Sequence, residues 1–235
     1  MIANWIAKSL LGVTSGLMLL TVADGGSVGS SITHSPSSFE SAPGVSVAAR
    51  SKAAVVRPGA AAPDFSGTDS NGQTRRLSDF KGKVVVLEWT NDKCPFVGKH
   101  YGTNNMQQLQ KEATSKGVVW LSIVSSAPGQ QGYVTANQAN DLTKSRNAVP
   151  TAVILDPEGE IGRLYNARTT PHMYVVGQNG TMMYMGAIDD APSSQTADVQ
   201  KANNYVRTAL DEVLNGKPVS TSTTQPYGCT VKYSS

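Results

Sequence analysis

Short apolar runs bounded by turn residues recur along the chain from about residue 59 onward. The run at 84–87, Val-Val-Val-Leu, is β-branched and follows Gly82, which is typical of a buried strand. Similar runs predict further strands at 118–125, 151–155, 173–176 and 182–186. The pair Asn179-Gly180 between the last two runs predicts a β-hairpin.

Helical periodicity fills the stretches between these runs. The pattern predicts helices at 94–116 (ended by Gly117), at 135–145, at 161–165 and at 199–214. Strands that alternate with helices and finish in an antiparallel hairpin predict an α/β domain with a central mixed sheet flanked by helices.

The N-terminal segment has the pattern of an export signal. Lys8 is its only charge, and residues 9–23 are mostly apolar but shorter than a bilayer span. We predict cleavage after Ala23, with an uncleaved membrane anchor as the alternative. The mature protein is then expected in an oxidising compartment, periplasmic or secreted.

Three further segments follow the predicted signal peptide, residues 1–23. Residues 24–58 are rich in Ser, Gly, Ala and Pro without sustained periodicity, which predicts a flexible, disordered spacer. We expect the folded domain at 59–218. Residues 219–235 form a tail that carries the second cysteine.

Composition narrows the class of partner. Hydrophobic residues make up 39% and charged residues 16%, and the formal net charge is +3, or 3 − 1 = +2 without Lys8. This charge is too small and too scattered to indicate nucleic acid or, after signal cleavage, an anionic membrane as partner. No sequence pattern indicates a cofactor or a metal.

Cys94 is the strongest candidate for chemistry. It follows the strand at 84–87, and Pro95 after it suits the first turn of a helix. A cysteine at a helix N-terminus meets free amides and the positive end of the helix dipole, which stabilise a thiolate. Lys93 could add to that effect. We therefore predict a reactive nucleophile, with a buried inert cysteine as the alternative.

The only other cysteine, Cys229, has several interpretations. It could resolve an oxidised or mixed-disulfide Cys94 and so form a disulfide. It could instead hold a permanent bridge that pins the tail to the domain, or pair with another chain. The polar residues 220–225 would let Cys229 swing toward Cys94, which favours the redox interpretation.

From about Gly59 to Leu214 the sequence resembles a thioredoxin-fold redoxin of the alkyl hydroperoxide reductase and thiol-specific antioxidant type. The resemblance is carried by Ala-Pro-Asp-Phe at 62–65, Lys-Gly-Lys at 81–83, Trp89 before Cys94-Pro95, and Thr170-Pro171 before a strand. Residues 94–97 (Cys-Pro-Phe-Val), 99–101 (Lys-His-Tyr) and 227–229 (Tyr-Gly-Cys) more narrowly resemble a peroxiredoxin-like group.

The resemblance implies roles for three more residues. Thr170-Pro171 matches the cis-proline that faces the active cysteine and presents backbone to an incoming disulfide. Glu88 matches the acidic residue that thioredoxins bury beneath the site, where a carboxylate could relay the thiol proton. A solvated glutamate at a strand end is the alternative for Glu88.

Departures from two family motifs bear on the reaction. Val97 stands where a thioredoxin has its second cysteine, and Leu87 and Asn91 stand where a peroxiredoxin has its proline and threonine. Thiol–disulfide exchange is therefore favoured over peroxide reduction, although an antioxidant role stays open. The reductant is an unidentified thiol.

These observations predict an exported thiol-dependent oxidoreductase in which Cys94 is the nucleophile and Cys229 resolves the intermediate. The substrate would be a protein disulfide or a peroxide. One alternative is a non-catalytic binding module with a structural Cys94–Cys229 disulfide. Another is a metallochaperone that uses both cysteines with His100 or His172, but the sequence lacks paired metal-ligand spacing. Arg168 is expected to be an exposed loop residue.

Overall fold

A seven-stranded mixed sheet forms the centre of the molecule in the computed structural model, which describes residues 55–234. The predicted signal segment and all of the spacer before residue 55 lie outside the described residues. Within residues 55–234, no helix is both long enough and apolar enough to cross a membrane.

The strand order across this sheet is β2-β1-β5-β4-β3-β7-β8, and a separate two-stranded ladder joins β6 to β9. The strands are β1 Ser66–Asp69, β2 Thr74–Arg76, β3 Val85–Trp89, β4 Val119–Val124, β5 Ala152–Leu155, β6 Thr169–Thr170, β7 His172–Val176, β8 Met182–Gly186 and β9 Cys229–Thr230. The predicted central mixed sheet is confirmed.

Strand β3 positions the site. All five of its residues are buried, because helices and loops cover both faces of the sheet. It runs parallel to β4 and antiparallel to β7, with Trp89 opposite His172. The end of β3 therefore lies beside the start of β7. The loop that follows β3 and the residues that precede β7 meet at the same edge of the sheet.

In the part of the chain that the structure describes, five α-helices flank the sheet: α1 Pro95–Gly102, α2 Asn105–Ser115, α3 Ala136–Ser145, α4 Glu160–Leu164 and α5 Tyr205–Leu214. Two short 3₁₀ helices, Leu77–Phe80 and Thr196–Asp198, complete the helical elements. The predicted stop after α2 is confirmed, since Gly117 has a left-handed φ of 81°.

The prediction of one continuous helix over 94–116 is wrong. Asn104 adopts a left-handed conformation with φ 61°, which ends α1 and starts α2 in a new direction. The Thr103 hydroxyl donates to the carbonyl of Lys99 at 2.7 Å, and the Gln107 side chain donates to the carbonyl of Tyr101 at 2.8 Å. Both carbonyls also accept backbone amides, from Thr103 and Asn104 at 3.2 Å, so the side chains add second hydrogen bonds at the end of α1.

The prediction for the last helix is too long at its N-terminal end. Helix α5 starts at Tyr205 rather than at 199, because the Asn204 side chain accepts a hydrogen bond from the amide of Arg207 at 2.9 Å and caps it there. Residues 199–201 form a turn instead, and Asn204 pairs with Asp189 in an isolated β-bridge. The apolar face of α5 packs on the sheet through Val206, Ala209 and Leu210.

Both ends of the described chain lie along β8. The amide of Gly59 donates to the carbonyl of Met182 at 2.8 Å, and the amide of Met185 donates to the carbonyl of Ser222 at 3.0 Å. The tail therefore packs against the domain, alongside its edge strand.

Candidate active site

Cys94 is the N-cap residue of α1, with Pro95 at the first helical position, as the sequence predicts. Its carbonyl accepts the first helical hydrogen bond, from the amide of Gly98 at 2.8 Å. The residue is only 1% exposed. Cys94 lies here because it follows the end of β3, which is at the edge of the sheet where the antiparallel strand β7 begins.

The peptide bond between Thr170 and Pro171 is cis, which confirms the predicted geometry. It faces Cys94: the thiol Sγ donates a hydrogen bond to the carbonyl oxygen of Thr170 at 3.0 Å. Thr170 is itself 2% exposed. The structure thus brings together three of the residues that the sequence singled out.

Cys229 lies directly opposite Thr170 in the antiparallel pair formed by β6 and β9. Both cysteines carry free thiols, and Cys229 lies close enough for its thiol to donate a hydrogen bond to a Cys94 thiolate. The sequence suggested that a polar linker would let Cys229 swing toward Cys94. In the structure Cys229 is already held there by backbone pairing.

The two thiols differ in acidity. Burial raises the pKa of Cys94, but hydrogen bonds from the Cys229 and Thr170 side chains outweigh burial. Backbone amides of Val97 and Cys229 act in the same direction, so the pKa of Cys94 lies below its ordinary value. Burial, together with the neighbouring Cys94 sulfur, raises the pKa of Cys229 to about 12. Cys94 is therefore the thiol that ionises first.

Two nearby cationic residues, Lys93 and Arg168, do not contribute to the lowered pKa of Cys94. The Lys93 ammonium is 67% exposed and pairs with the carboxylate of Asp92 at 3.1 Å, so solvent and Asp92 screen it from the thiol. Arg168 is exposed, as the sequence predicts, and contributes its backbone to the β6–β9 region. Hydrogen bonds rather than these charges favour the Cys94 thiolate.

Glu88 is fully buried on β3, so the alternative of a solvated glutamate is wrong. Its carboxylate accepts four hydrogen bonds, donated by Tyr101 Oη at 2.8 Å, Trp120 Nε1 at 2.8 Å, Ser122 Oγ at 2.9 Å and Gln110 Nε2 at 3.2 Å. A buried carboxylate needs such donors. Glu88 therefore joins α1, α2 and β4 beneath the site.

A buried polar group fixes the tail next to Cys94. We name it the Asp189 cluster; its members are Lys99, His100, Asp189 and Tyr227. The Tyr227 hydroxyl donates to Asp189 Oδ1, and Lys99 Nζ lies 4.0 Å from the same oxygen and 5.0 Å from the Tyr227 ring centroid. His100 Nε2 lies 3.9 Å from Asp189 Oδ2 and 3.4 Å from the Tyr227 hydroxyl.

Burial shifts the titration of this cluster. It lowers the pKa of Lys99 despite the facing carboxylate of Asp189, and it raises the pKa of Asp189. Burial and the adjacent Lys99 charge lower the pKa of His100 to about 3. His100 is therefore neutral at physiological pH, and Lys99 and Asp189 form a buried charge pair.

The second histidine is also buried. His172 Nδ1 accepts a hydrogen bond from the amide of Arg168 at 3.3 Å and lies 3.2 Å from the Tyr174 hydroxyl. Burial lowers the pKa of His172 to about 3. Among residues 55–234, no three His, Cys, Asp or Glu side chains converge as a metal site would need.

Sequence reasoning missed the Asp189 cluster. Lys99, His100 and Tyr227 belong to the segments that carried the resemblance, but nothing in the sequence connects them to Asp189. It also missed Gly228, where an added Cβ would lie 2.1 Å from the carbonyl oxygen of Thr170. The one available signal in the sequence was the glycine itself, because a glycine beside Cys229 allows the tail backbone to approach another backbone segment closely.

Two proteins of known name are similar to this chain in sequence. The chain is 27% identical over 126 residues to the thiol-disulfide oxidoreductase ResA of Geobacillus kaustophilus, covering 49% of this chain and 72% of that protein. It is 26% identical over 147 residues to the thioredoxin-like protein YneN of Bacillus subtilis, covering 61% and 81%.

A solved structure has the same fold over most of the described chain. An uncharacterized conserved protein from Geobacillus kaustophilus superposes with a TM-score of 0.66 at 25% identity, covering 75% of this chain and 92% of that one. The predicted thioredoxin-like fold is confirmed.

A family model extends the match to the site itself. The model described as "AhpC/TSA family" matches residues 58–185, which include Cys94 and the Thr170–Pro171 bond but not Cys229. The matched segment exceeds half of the 235 residues and covers the strands that position Cys94. The chain therefore belongs to the AhpC/TSA family.

Proposed function

We propose that the protein is an exported thiol-dependent oxidoreductase in which Cys94 is the nucleophile and Cys229 is the resolving cysteine. The observation that carries this proposal is the contact between two unequal thiols: Cys94, whose hydrogen bonds favour the thiolate, and Cys229, placed against it opposite Thr170. The relatives named as a thiol-disulfide oxidoreductase and a thioredoxin-like protein support it.

Exchange with a disulfide would proceed in two displacements. The Cys94 thiolate attacks one sulfur of the substrate disulfide, which forms a mixed disulfide and releases the other substrate sulfur as a thiolate. Cys229 then attacks Cys94 Sγ, and its proton passes to the departing second thiolate. The products are two substrate thiols, the first of which takes its proton from solvent, and a Cys94–Cys229 disulfide, which an external thiol reduces.

A peroxide would need a different first step. The Cys94 thiolate attacks one peroxide oxygen and becomes a sulfenic acid, while the other oxygen leaves as an alcohol or water after taking up a proton. The Cys229 thiol then condenses with the sulfenic acid, which releases water and gives the same disulfide. Disulfide exchange is favoured, because Leu87 and Asn91 replace the residues of the peroxiredoxin motif.

The surroundings of Cys94 suit the resolving step. When the tail is docked, the β6–β9 pair holds Cys229 beside Cys94, so redocking of the tail brings the resolving thiol to the mixed disulfide. Thr170 and Pro171 shape the wall of the site. Glu88 fixes α1 from below through Tyr101; a role for its carboxylate in proton transfer is part of the proposal.

The test is a redox titration of the protein without residues 1–23 in dithiothreitol and glutathione buffers, with mass spectrometry of the bridge. A Cys94–Cys229 disulfide with a midpoint between about −120 and −270 mV supports the proposal, and C94S and C229S should both abolish turnover with a model disulfide. A bridge that resists reduction below about −300 mV would instead support a structural disulfide in a binding module. Metal retained through purification would favour a metallochaperone.

A further inference from the structure

The tail contacts the domain on both sides of Cys229. Before it, the amide of Thr224 donates to the carbonyl of Met185 at 3.1 Å; after it, the amide of Val231 donates to the carbonyl of Arg168 at 3.0 Å. The tail is therefore bound as an extended segment across the site.

Two tyrosines anchor this segment. Tyr227 enters the Asp189 cluster, and its ring packs edge-on against Phe96 of α1 with 5.9 Å between ring centroids. Tyr233 donates to the carbonyl of Ala167 at 2.7 Å and lies under the guanidinium of Arg163. An added Cβ at Gly162 would lie 2.5 Å from the Tyr233 hydroxyl, so the domain leaves space for this ring.

Gly228 permits the closest approach. Its φ is 133°, and a side chain there would collide with the backbone of Thr170, because an added Cβ would lie 2.1 Å from the carbonyl oxygen and 2.8 Å from the carbonyl carbon. Only a residue without Cβ brings the following cysteine into register with Thr170. The site is thus shaped for an aromatic residue, a glycine and a cysteine in succession.

The same segment covers the nucleophile. Cys94 is 1% exposed, with Tyr227 and Cys229 packed in its cluster, so a reacting partner has to take the position that Cys229 occupies. Strand β6 has no pairing partner other than β9 among the described residues. Displacing the tail would leave Thr169–Thr170 as a free edge beside Cys94, which an extended segment can pair with.

We propose that the tail is a tethered occupant of a binding groove for extended, cysteine-bearing segments. The groove runs from the Asp189 cluster past β6 to Gly162. An external segment enters by displacing the tail, and the groove favours an aromatic residue followed by glycine and cysteine. This inference rests on the proposed function insofar as Cys94 is the group that reacts.

The test uses full-length C229S, in which Cys94 is the only thiol. The probe is a peptide with the sequence of residues 225–233, whose cysteine is a mixed disulfide with 2-nitro-5-thiobenzoate. Attack of Cys94 on the peptide sulfur forms a protein–peptide disulfide and releases the coloured thiobenzoate, which absorbance measures. A second peptide carries the Gly228→Ala change, and urea-unfolded C229S controls for intrinsic reactivity.

The first peptide should react with folded C229S about tenfold faster than the alanine peptide, and the two should react equally with unfolded protein. Loosening the tail should help the external peptide: C229S/Y227F should react about tenfold faster than C229S, because the tail loses its hydrogen bond to Asp189. Y133F, at an exposed tyrosine outside the tail contacts, is the matched control and should change nothing.

Equal rates for both peptides with folded C229S would overturn the inference. So would an unchanged rate in C229S/Y227F whose circular dichroism shows an intact fold. The proposed function fails differently, through the redox midpoint and the turnover of the wild-type protein, neither of which depends on the peptide rates of C229S. If the Cys94–Cys229 disulfide is never reduced and re-formed but the first peptide still reacts faster than the alanine peptide, the groove would exist in a protein that is not a redox enzyme.

Discussion

The thiol of Cys94 donates a hydrogen bond to the carbonyl of Thr170, a residue 76 positions further along the chain, with 3.0 Å between sulfur and oxygen. Thr170 in turn lies opposite Cys229 in the β6–β9 pair. One residue of the cis-proline segment thus contacts the first thiol and aligns the second.

The acidity of Cys94 should depend on Cys229. Its lowered pKa keeps the thiolate populated at lower pH than an ordinary cysteine, so alkylation by iodoacetamide should show a midpoint below about pH 8.5. C229A removes one hydrogen bond to the thiolate and should move this midpoint upward. C94A is the control: burial still raises the pKa of Cys229 without the Cys94 sulfur, so its alkylation should have a midpoint at higher pH than that of the parent protein. An unchanged midpoint in C229A would exclude the hydrogen bond as a cause.

Docking of Cys229 should depend on Gly228. A methyl group there would collide with Thr170, so G228A should slow formation of the Cys94–Cys229 disulfide by diamide about 100-fold, the effect of a displacement of about 1 Å. G129A is the matched control, because Gly129 also has positive φ but open space around it. Quenched-flow alkylation with mass spectrometry measures the rate. Equal slowing in both variants would point to backbone strain alone.

Glu88 should matter strongly for stability. E88Q leaves one amide oxygen for four donors and turns an NH₂ group toward them, so the free energy of unfolding should fall by about 3 kcal/mol. Urea unfolding followed by tryptophan fluorescence measures it. The exposed Glu158 provides the control, E158Q, with an expected change below about 0.5 kcal/mol. A loss of turnover in E88Q beyond the loss of folded protein would support proton transfer by Glu88.

Acid should destabilise the fold through two histidines. His100 and His172 have folded pKa values near 3, below the unfolded value of about 6.5, so the folded state binds fewer protons in this range. The stability that the two neutral histidines contribute to the folded state is fully present above pH 6.5. It is lost as pH falls toward 3, by about 1.4 kcal/mol per pH unit for each histidine. The raised pKa of Asp189 opposes this just above its unfolded value.

Urea unfolding at pH 7.5, 6 and 5 tests this dependence. H172N should lower the slope by about half, because one of the two titrating groups is removed while its position can still hydrogen-bond. A stability that is flat between pH 7.5 and 5 in the parent protein would contradict buried neutral histidines.

Much of the fold could be predicted because its strands are continuous apolar runs, such as 84–87, that are buried on both faces. The pairing of Cys94 with the Thr170–Pro171 bond followed from the resemblance. Local conformation was harder: the left-handed Asn104 divides a segment in which the apolar positions keep a helical spacing on both sides. Periodicity does not register a single positive φ at a residue other than glycine.

The Asp189 cluster shows a second limit. Sequence patterns assign charged residues such as Lys99 to the surface, since burial of a charge is costly unless a partner is present. The partner here is Asp189, ninety residues away, and Tyr227, another member of the cluster, lies in the tail beyond its polar residues 220–225. Only the folded chain brings such groups together.

Two segments of the chain, one before the sheet and one in the tail, cover the edge strand β8, and this coverage bears on association between molecules. Residues 59–62 and 222–224 satisfy backbone groups along the outer strand of the sheet, at Met182 and Met185. An uncovered edge strand invites pairing between molecules. Proteolytic cleavage before residue 222 would therefore remove Cys229 and also expose unpaired backbone groups of β8. The cleaved protein should then self-associate more than the intact chain.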